Sequence, residues 1–342
     1  MVQRGYLSNM KKKILFRGDG NDKIGLGHLY RLYAMAEMIK GSHKFIFVTR
    51  EDSLTSFLPK EYQVDRIPAT KNYKEEVQEL IQKYTPSECL MIVDGYSFDS
   101  QYQKRIKQAG FTLVYIDDLA KEHMYADLVI NHSPFFEKKD FSSEPYTQFA
   151  LGLKYSIIRP LFIQACKAKR KINQINSAFI CFGGADMYNL TEKSIKALLN
   201  TGLFRTINVV VGAANHSNLD SFSSQEIKIH KNLSESEMIE LLFMSNFAIV
   251  PSSTILYEVC AVKMPVLSGY FVDNQKSIYE GFLKNKMIMG IGDFRIMNTD
   301  DIQQKVNTIF KHENFKDLVE NQYYMMDGEI KERFLKLIKY LC

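Results

Sequence analysis

The sequence predicts an α/β protein made of two successive parallel-sheet domains. Three observations carry that prediction. Short apolar runs alternate with amphipathic stretches along most of the 342 residues. The alternation pauses between about 133 and 176 and then restarts. The apolar runs are nearly continuous, as strands covered by helices on both faces must be. The length itself suits two domains of roughly 150 residues each.

Element by element, KILF (13–16) reads as a strand. Residues 28–40 read as a helix, with Leu29, Leu32, Ala36 and Ile39 at helical spacing. FIFV (45–48) is the next strand, 73–84 a helix, CLMIVD (89–94) a strand, 99–109 a helix, FTLVYID (111–117) a strand and DLVIN (127–131) a short one. After the pause, whose basic piece QACKAKRKINQ looks helical, SAFICF (177–182) is a strand and 191–200 a helix. INVVV (207–211) and EIKIH (226–230) are strands, 234–244 a helix, FAIV (247–250) a strand, 253–262 a helix and PVLSGY (265–270) a strand. The end, 314–341, reads as helical and amphipathic. We therefore expect an N-terminal domain over 11–160, a second over 177–313, and a helical segment over 314–342 that packs back on the first.

Composition excludes several classes. A net charge of +5 favours an anionic small molecule but is too weak to argue for nucleic acid. Cys89, Cys166, Cys181, Cys260 and Cys342 are scattered with no CxxC pair, so neither a zinc site nor a disulfide framework is indicated. That usage fits a reducing cytoplasm. The first residues lack the apolar core of a signal peptide, and no run of about eighteen apolar residues occurs, so membrane insertion is not expected. Met10, directly before KKKILF, is a second candidate start that would leave residues 1–9 outside the native chain.

Ligands of open parallel sheets lie beyond the C-terminal strand ends, so the loops after the strands hold the candidates. RGDGNDKIGLGH follows the first strand and runs into a helix at His28. Gly25 and Gly27 permit a tight turn and close ligand approach, and the helix start favours an anion or a sugar oxygen. The pattern is no dinucleotide fingerprint, because Arg31 stands where the third glycine belongs. It reads equally as a plain strand-to-helix turn with a solvent-facing histidine. CFGGADMYNLT (181–191), with Gly183 and Gly184, could receive phosphate, although no GK[ST] follows. In VPSSTILYEV (250–259), Ser252, Ser253 and Thr254 precede a helix and could seat a diphosphate. Glu258 lies one turn on, where a carboxylate can accept both ribose hydroxyls. The bland alternative is that the serines cap the helix and Glu258 is solvated. Asp94 and Tyr96 end one strand and Asp117 and Asp118 another; without a third ligand nearby they do not make a metal site. His123, His132, His216 and His230 read as surface or loop residues.

Taken in order, RGDGNDKIGLGHLYR, MIVDGYSFD, YIDDLAKEHMYADLVINHSP, ALGLKYSIIRPLF, FICFGGADMYNLT, NLSESEMIELLFMSNFAIV, STILYE and DNQ (273–275) resemble the PseG/SpsG family over about residues 13–280. Its type member is the UDP-sugar hydrolase of the pseudaminic acid pathway. The resemblance implies a GT-B architecture like that of MurG, with two Rossmann-like domains facing a cleft and the nucleotide on the second. It implies attack of water on C1 of UDP-2,4-diacetamido-2,4,6-trideoxy-β-L-altropyranose, with inversion and with no metal or cofactor. A monomer is expected. It gives His28 as general base; Gly25, Gly27, Asp94 and Tyr96, with Asn274 and Gln275, on the sugar; Ser253 and Thr254 at the diphosphate; Glu258 at the ribose; Gly183 and Gly184 near the nucleotide; and backbone near Asn232 and Leu233 at the uracil. Where the family has a glycine-rich approach to its STxxE helix, this chain carries Pro251-Ser252. The alternative function is a GT-B glycosyltransferase using the same nucleotide half.

Overall fold

The computed structural model describes residues 12–21, 23–183, 186–212, 219, 222, 224–311 and 315–342. Residues 1–9, Gly184 and His216 lie outside the described residues. The chain forms two compact units. One runs up to Asn131 and adds Lys138–Ala150 and Lys331–Cys342; the other holds His132–Glu137 and Leu151–Ile330.

The first unit contains β1 (Lys13–Gly18), α1 (Gly27–Ile39), β2 (Phe45–Arg50), β3 (Val64–Ile67), α2 (Glu76–Lys83), β4 (Cys89–Asp94), α3 (Ser100–Gln108), β5 (Thr112–Ile116), β6 (His123–Met124), β7 (Leu128–Asn131), β8 (Ser142–Ser143) and β9 (Gln148–Leu151). Its main sheet has the order β3-β2-β1-β4-β5-β7-β9, with the strands from β3 to β7 paired in parallel. Strands β1, β4 and β7 are buried along nearly their whole length, which explains their unbroken apolar character. Leu29, Leu32 and Ala36 of α1 are fully buried. Gly18 is required there, because a Cβ on it would lie 2.5 Å from Leu32 Cδ1.

The second unit contains α4 (Pro160–Lys167), β10 (Ser177–Cys181), α5 (Leu190–Thr201), β11 (Thr206–Val211), β12 (Ile227–Lys231), α6 (Glu235–Met244), β13 (Phe247–Pro251), α7 (Thr254–Ala261), β14 (Val266–Tyr270), α8 (Lys276–Lys284), β15 (Met289–Asp293), α9 (Thr299–Lys311) and α10 (Phe315–Met325). The last helix, α11 (Ile330–Leu341), groups with the first unit from Lys331 onward. The second sheet is parallel with the order β12-β11-β10-β13-β14-β15. In both sheets the chain winds outward from the first strand, then returns to its other side. That reversal is the switch point at which such sheets hold ligands. It lies between β1 and β4 in one unit, and between β10 and β13 in the other.

Several expectations need correction. The basic piece QACKAKRKINQ is helical only up to Lys167, where α4 stops. Arg170 instead donates its backbone N–H to the Tyr323 hydroxyl and its guanidinium to the carbonyls of Leu242, Val262 and Phe243. The C-terminal stretch is two helices, α10 and α11, with Gly328 at φ +78° between them. Strands β3, β9 and β15 and helices α8 and α9 add to the elements read from the sequence. Among the described residues no helix is long and apolar enough to cross a membrane.

Candidate functional site

In the first unit, β1 and β4 deliver adjacent groups. Gly18 pairs with Asp94 at the C-terminal strand ends, and the loop after β1 leads into α1. Within that loop Gly25 has φ +78° and donates its N–H to the Asn21 carbonyl. That conformation disfavours any side chain. Gly27 is the first residue of α1, and His28 follows on its inner side.

His28 is no solvent-facing residue. Its Nδ1 lies 2.7 Å from Asp94 Oδ1, and its ring stands edge-on to Tyr96 at 4.8 Å. Asp94 is fully buried, and both its oxygens are occupied: Arg31 donates Nε to Oδ2 at 2.8 Å and Nη2 to Oδ1 at 2.6 Å. Arg31 also donates to both oxygens of Asp118, which accepts the Tyr96 hydroxyl at 3.0 Å. Arg31 Nη2 also lies 3.0 Å from Nδ1; the shorter contact to the Asp94 acceptor favours the tautomer with its proton on Nδ1, which leaves Nε2 as the basic nitrogen. Burial alone would depress the Arg31 guanidinium, but Asp118 and Asp94 outweigh it and raise the group well above its ordinary value. The sequence indicated His28, Asp94 and Tyr96. Arg31 and Asp118 escaped it as members of the same cluster, and Asp94 is fully buried against the histidine and is not part of the cavity lining.

A second charged cluster backs this one. Arg17, fully buried, grips Glu76 with Nε and Nη2 at 2.9 and 3.0 Å and donates Nη1 to Asp19 Oδ1 at 2.7 Å. Tyr102 donates its hydroxyl to Glu76 at 2.9 Å. Burial would raise the Asp19 carboxyl, but Arg17, the Arg50 N–H and Thr49 hold it below the usual carboxylate range. Asp19, Ile24, His28, Tyr73, Gly95, Tyr96, Ser97 and Phe98 line a cavity of about 120 Å³. Nearby, Asp117 accepts from the N–H groups of Leu119 and Ala120 and from Asn131; burial nonetheless pushes its carboxyl above the ordinary value.

In the second unit, the two loops at the switch point differ. After β10, Gly183 has φ +79°, but Asp186 accepts from the N–H groups of Leu190 and Thr191 at 2.8 and 2.9 Å. The start of α5 is thus already filled by a carboxylate. After β13, Pro251 closes the strand opposite Gly269, and Ser252 bonds Ser268 side chain to side chain at 3.0 Å. Ser253 precedes α7 without capping it through its side chain, so the first turn of α7, beginning at Thr254, keeps N–H groups available to an anion.

Glu258 is buried, not solvated. Arg159, at the start of α4, donates Nε to Oε1 at 2.8 Å and Nη2 to Oε2 at 2.9 Å. Each carboxylate oxygen keeps a second lone pair, so two further hydroxyls can still be accepted. Asn274 and Gln275 lie in the turn before α8; Gln275 accepts the Phe271 N–H at 3.1 Å and so holds that turn. Asn232 has φ +54° and is exposed beside half-buried Leu233. Among the described residues no group of three or more His, Cys, Asp or Glu could hold a metal ion.

No family model matches the chain. An uncharacterized protein of Methanocaldococcus jannaschii is 27% identical over 288 residues, 80% of this chain; the chain spans 58% of that protein's length. The UDP-2,4-diacetamido-2,4,6-trideoxy-β-L-altropyranose hydrolase of Campylobacter jejuni is 26% identical over 271 residues, 78% of this chain and 94% of that protein. The spore coat polysaccharide biosynthesis protein SpsG of Bacillus subtilis is 22% identical over 280 residues, 80% and 82% of the two chains. The chain resembles the PseG/SpsG group over most of its length. MurG of Acinetobacter baumannii has a similar fold, with a TM-score of 0.66 at 11% identity over 96% of this chain and 99% of MurG. A calicheamicin glycosyltransferase gives 0.67 at 10% identity over 97% and 98%. At such identities the likeness concerns the fold alone, and that fold is GT-B.

Proposed function

We propose that the chain hydrolyses a UDP-linked diacetamido-trideoxy sugar at the anomeric C–O bond, releasing UDP and the free sugar for nonulosonic acid synthesis. The observation that carries this reading is the histidine whose Nδ1 faces the buried Asp94 carboxylate while the residue lines a cavity. His28 Nε2 takes a proton from water as the water oxygen bonds to C1. The C1–O bond breaks with its electron pair leaving on the diphosphate, and configuration at C1 inverts. Asp94 fixes the ring and its tautomer and faces the positive charge the ring acquires. The N–H groups at the start of α7, with Ser253 and Thr254, receive the charge growing on the diphosphate. Glu258, held by Arg159, accepts the ribose hydroxyls, Asn232 and Leu233 border the uracil, and Asn274 and Gln275 meet the sugar.

The name of the Campylobacter relative supports hydrolysis of this substrate. The cavity beside His28 supports water as nucleophile: at 120 Å³ it has room for a water, about 30 Å³ in the liquid, and one edge of a sugar. The second reading, a glycosyltransferase with the same donor, draws on the fold shared with MurG. Incubation of the purified protein with the UDP-diacetamido-trideoxyaltrose, with no acceptor present, separates the two. Hydrolysis predicts stoichiometric UDP and free sugar; UDP release only when an acceptor is added would move the assignment to transfer.

A further inference from the structure

We infer that Asp19 is a sugar-binding residue, its Oδ2 accepting a hydrogen bond from a neutral donor, a hydroxyl or an acetamido N–H, on the sugar of the UDP-sugar. The inference rests on the reading that this chain binds such a molecule. It concerns a residue to which neither the sequence pattern nor the resemblance gives a role.

The two oxygens of Asp19 have unequal surroundings. Oδ1 accepts from Arg17 Nη1 at 2.7 Å, from the Arg50 N–H at 2.8 Å and from Thr49 Oγ1 at 3.1 Å. Ser53 approaches the same oxygen at 3.4 Å. Oδ2 is buried and accepts no hydrogen bond. Its nearest cation is Arg50 Nε at 3.9 Å, beyond hydrogen-bonding range. Arg50 Nε is itself buried without a hydrogen-bond partner, but the rest of Arg50 is held where it is. Its guanidinium lies 3.5 Å from the centre of the Tyr73 ring, and its two terminal nitrogens are spent on the carbonyls of Ala69 and Lys71. The residue itself is 4% exposed. Four donors clamp one oxygen and leave the other as a fixed, unpaired acceptor, which in a buried setting is costly unless a ligand supplies the partner.

The surroundings of Oδ2 say what that partner is. The cavity that Asp19 lines is otherwise walled by Ile24, Tyr73, Gly95, Tyr96, Ser97 and Phe98, with His28 at the same cavity. Apolar and aromatic walls with one oriented carboxylate suit a sugar edge, whose C–H faces pack on rings while a hydroxyl or amide donates. A cation is not required, since Arg17 and Arg50 already balance Asp19 and Glu76.

Asp19→Asn keeps the shape and removes the charge, and its amide can turn a donor toward the cavity. Affinity for the UDP-diacetamido-trideoxyaltrose, measured by calorimetry in a His28→Ala background, should fall about tenfold or more. Affinity for UDP alone should stay within about twofold. Equal affinity for the UDP-sugar, or an equal loss for UDP and UDP-sugar, would overturn the assignment. A crystal structure of the His28→Ala protein with the UDP-sugar needs no change at Asp19. It should put a sugar donor within about 3.2 Å of Oδ2; a water alone at Oδ2, or a sugar bound elsewhere, would refute the inference. A wild-type protein that binds the UDP-sugar without cleaving it ends the hydrolase reading and leaves Asp19 open to the same affinity test. One that binds no UDP-sugar ends both.

Discussion

Asp94 is fully buried and holds the His28 imidazole and Arg31, so it acts on the chemistry through His28. An asparagine there could offer an N–H to Nδ1 and favour the wrong tautomer. Asp94→Asn should therefore lower kcat about 10²-fold or more with little change in UDP affinity; steady-state kinetics with an unchanged kcat would remove Asp94 from this role. Two other carboxyls give a test by sign. Asp19 is held below the ordinary value of about 3.9, so its stabilisation is present above that pH and is lost as pH falls through the lower folded value. Asp117 is raised by burial, so its stabilisation belongs to the protonated form and is lost as pH rises through the raised folded value. Between neutral pH and about pH 3, Asp19→Asn should thus lose less stability than wild type and Asp117→Asn more, read from urea midpoints. The sequence showed His28 because a histidine after two glycines at a helix start is conspicuous. It could not show Arg31, Asp118 or Arg159 as partners, since contacts 87 and 99 residues apart leave no local pattern.

Two helix starts of similar composition follow the inner strands of the second sheet, and they are not equivalent. Asp186 supplies α5 with its own anion, whereas α7 begins without a side-chain cap. Both loops were legible as anion seats; which one was already filled depends on a backbone turn through Asp186 and Asn189, both at positive φ. Calorimetry with UDP should find Glu258→Ala weakened about tenfold, the scale of a lost charged hydrogen-bonding partner. Asp186→Ala should bind UDP normally while losing about 1 kcal/mol of stability as a lost cap. The reverse pattern would exchange the roles of the two loops. Long apolar strands such as β4, β5 and β13 were readable because burial on both faces demands unbroken hydrophobicity. Edge strand β3, with the sequence VDRI, and glycine-containing β15 lack that signature.

At the scale of the molecule, one winding scheme occurs twice, and each switch point bears residues that a UDP-sugar enzyme would use. The fold class followed from the alternation of apolar runs and its restart after the pause. The exact unit membership of 132–137, 151–160 and 331–342 did not, because it depends on which sheet each piece packs against. The central claim is that the His28 imidazole activates water against the anomeric carbon of a UDP-sugar. The most direct measurement is UDP release from the UDP-diacetamido-trideoxyaltrose by His28→Ala, beside its affinity for UDP. The account predicts turnover lowered about 10²-fold or more with UDP affinity nearly unchanged; turnover equal to wild type would contradict it.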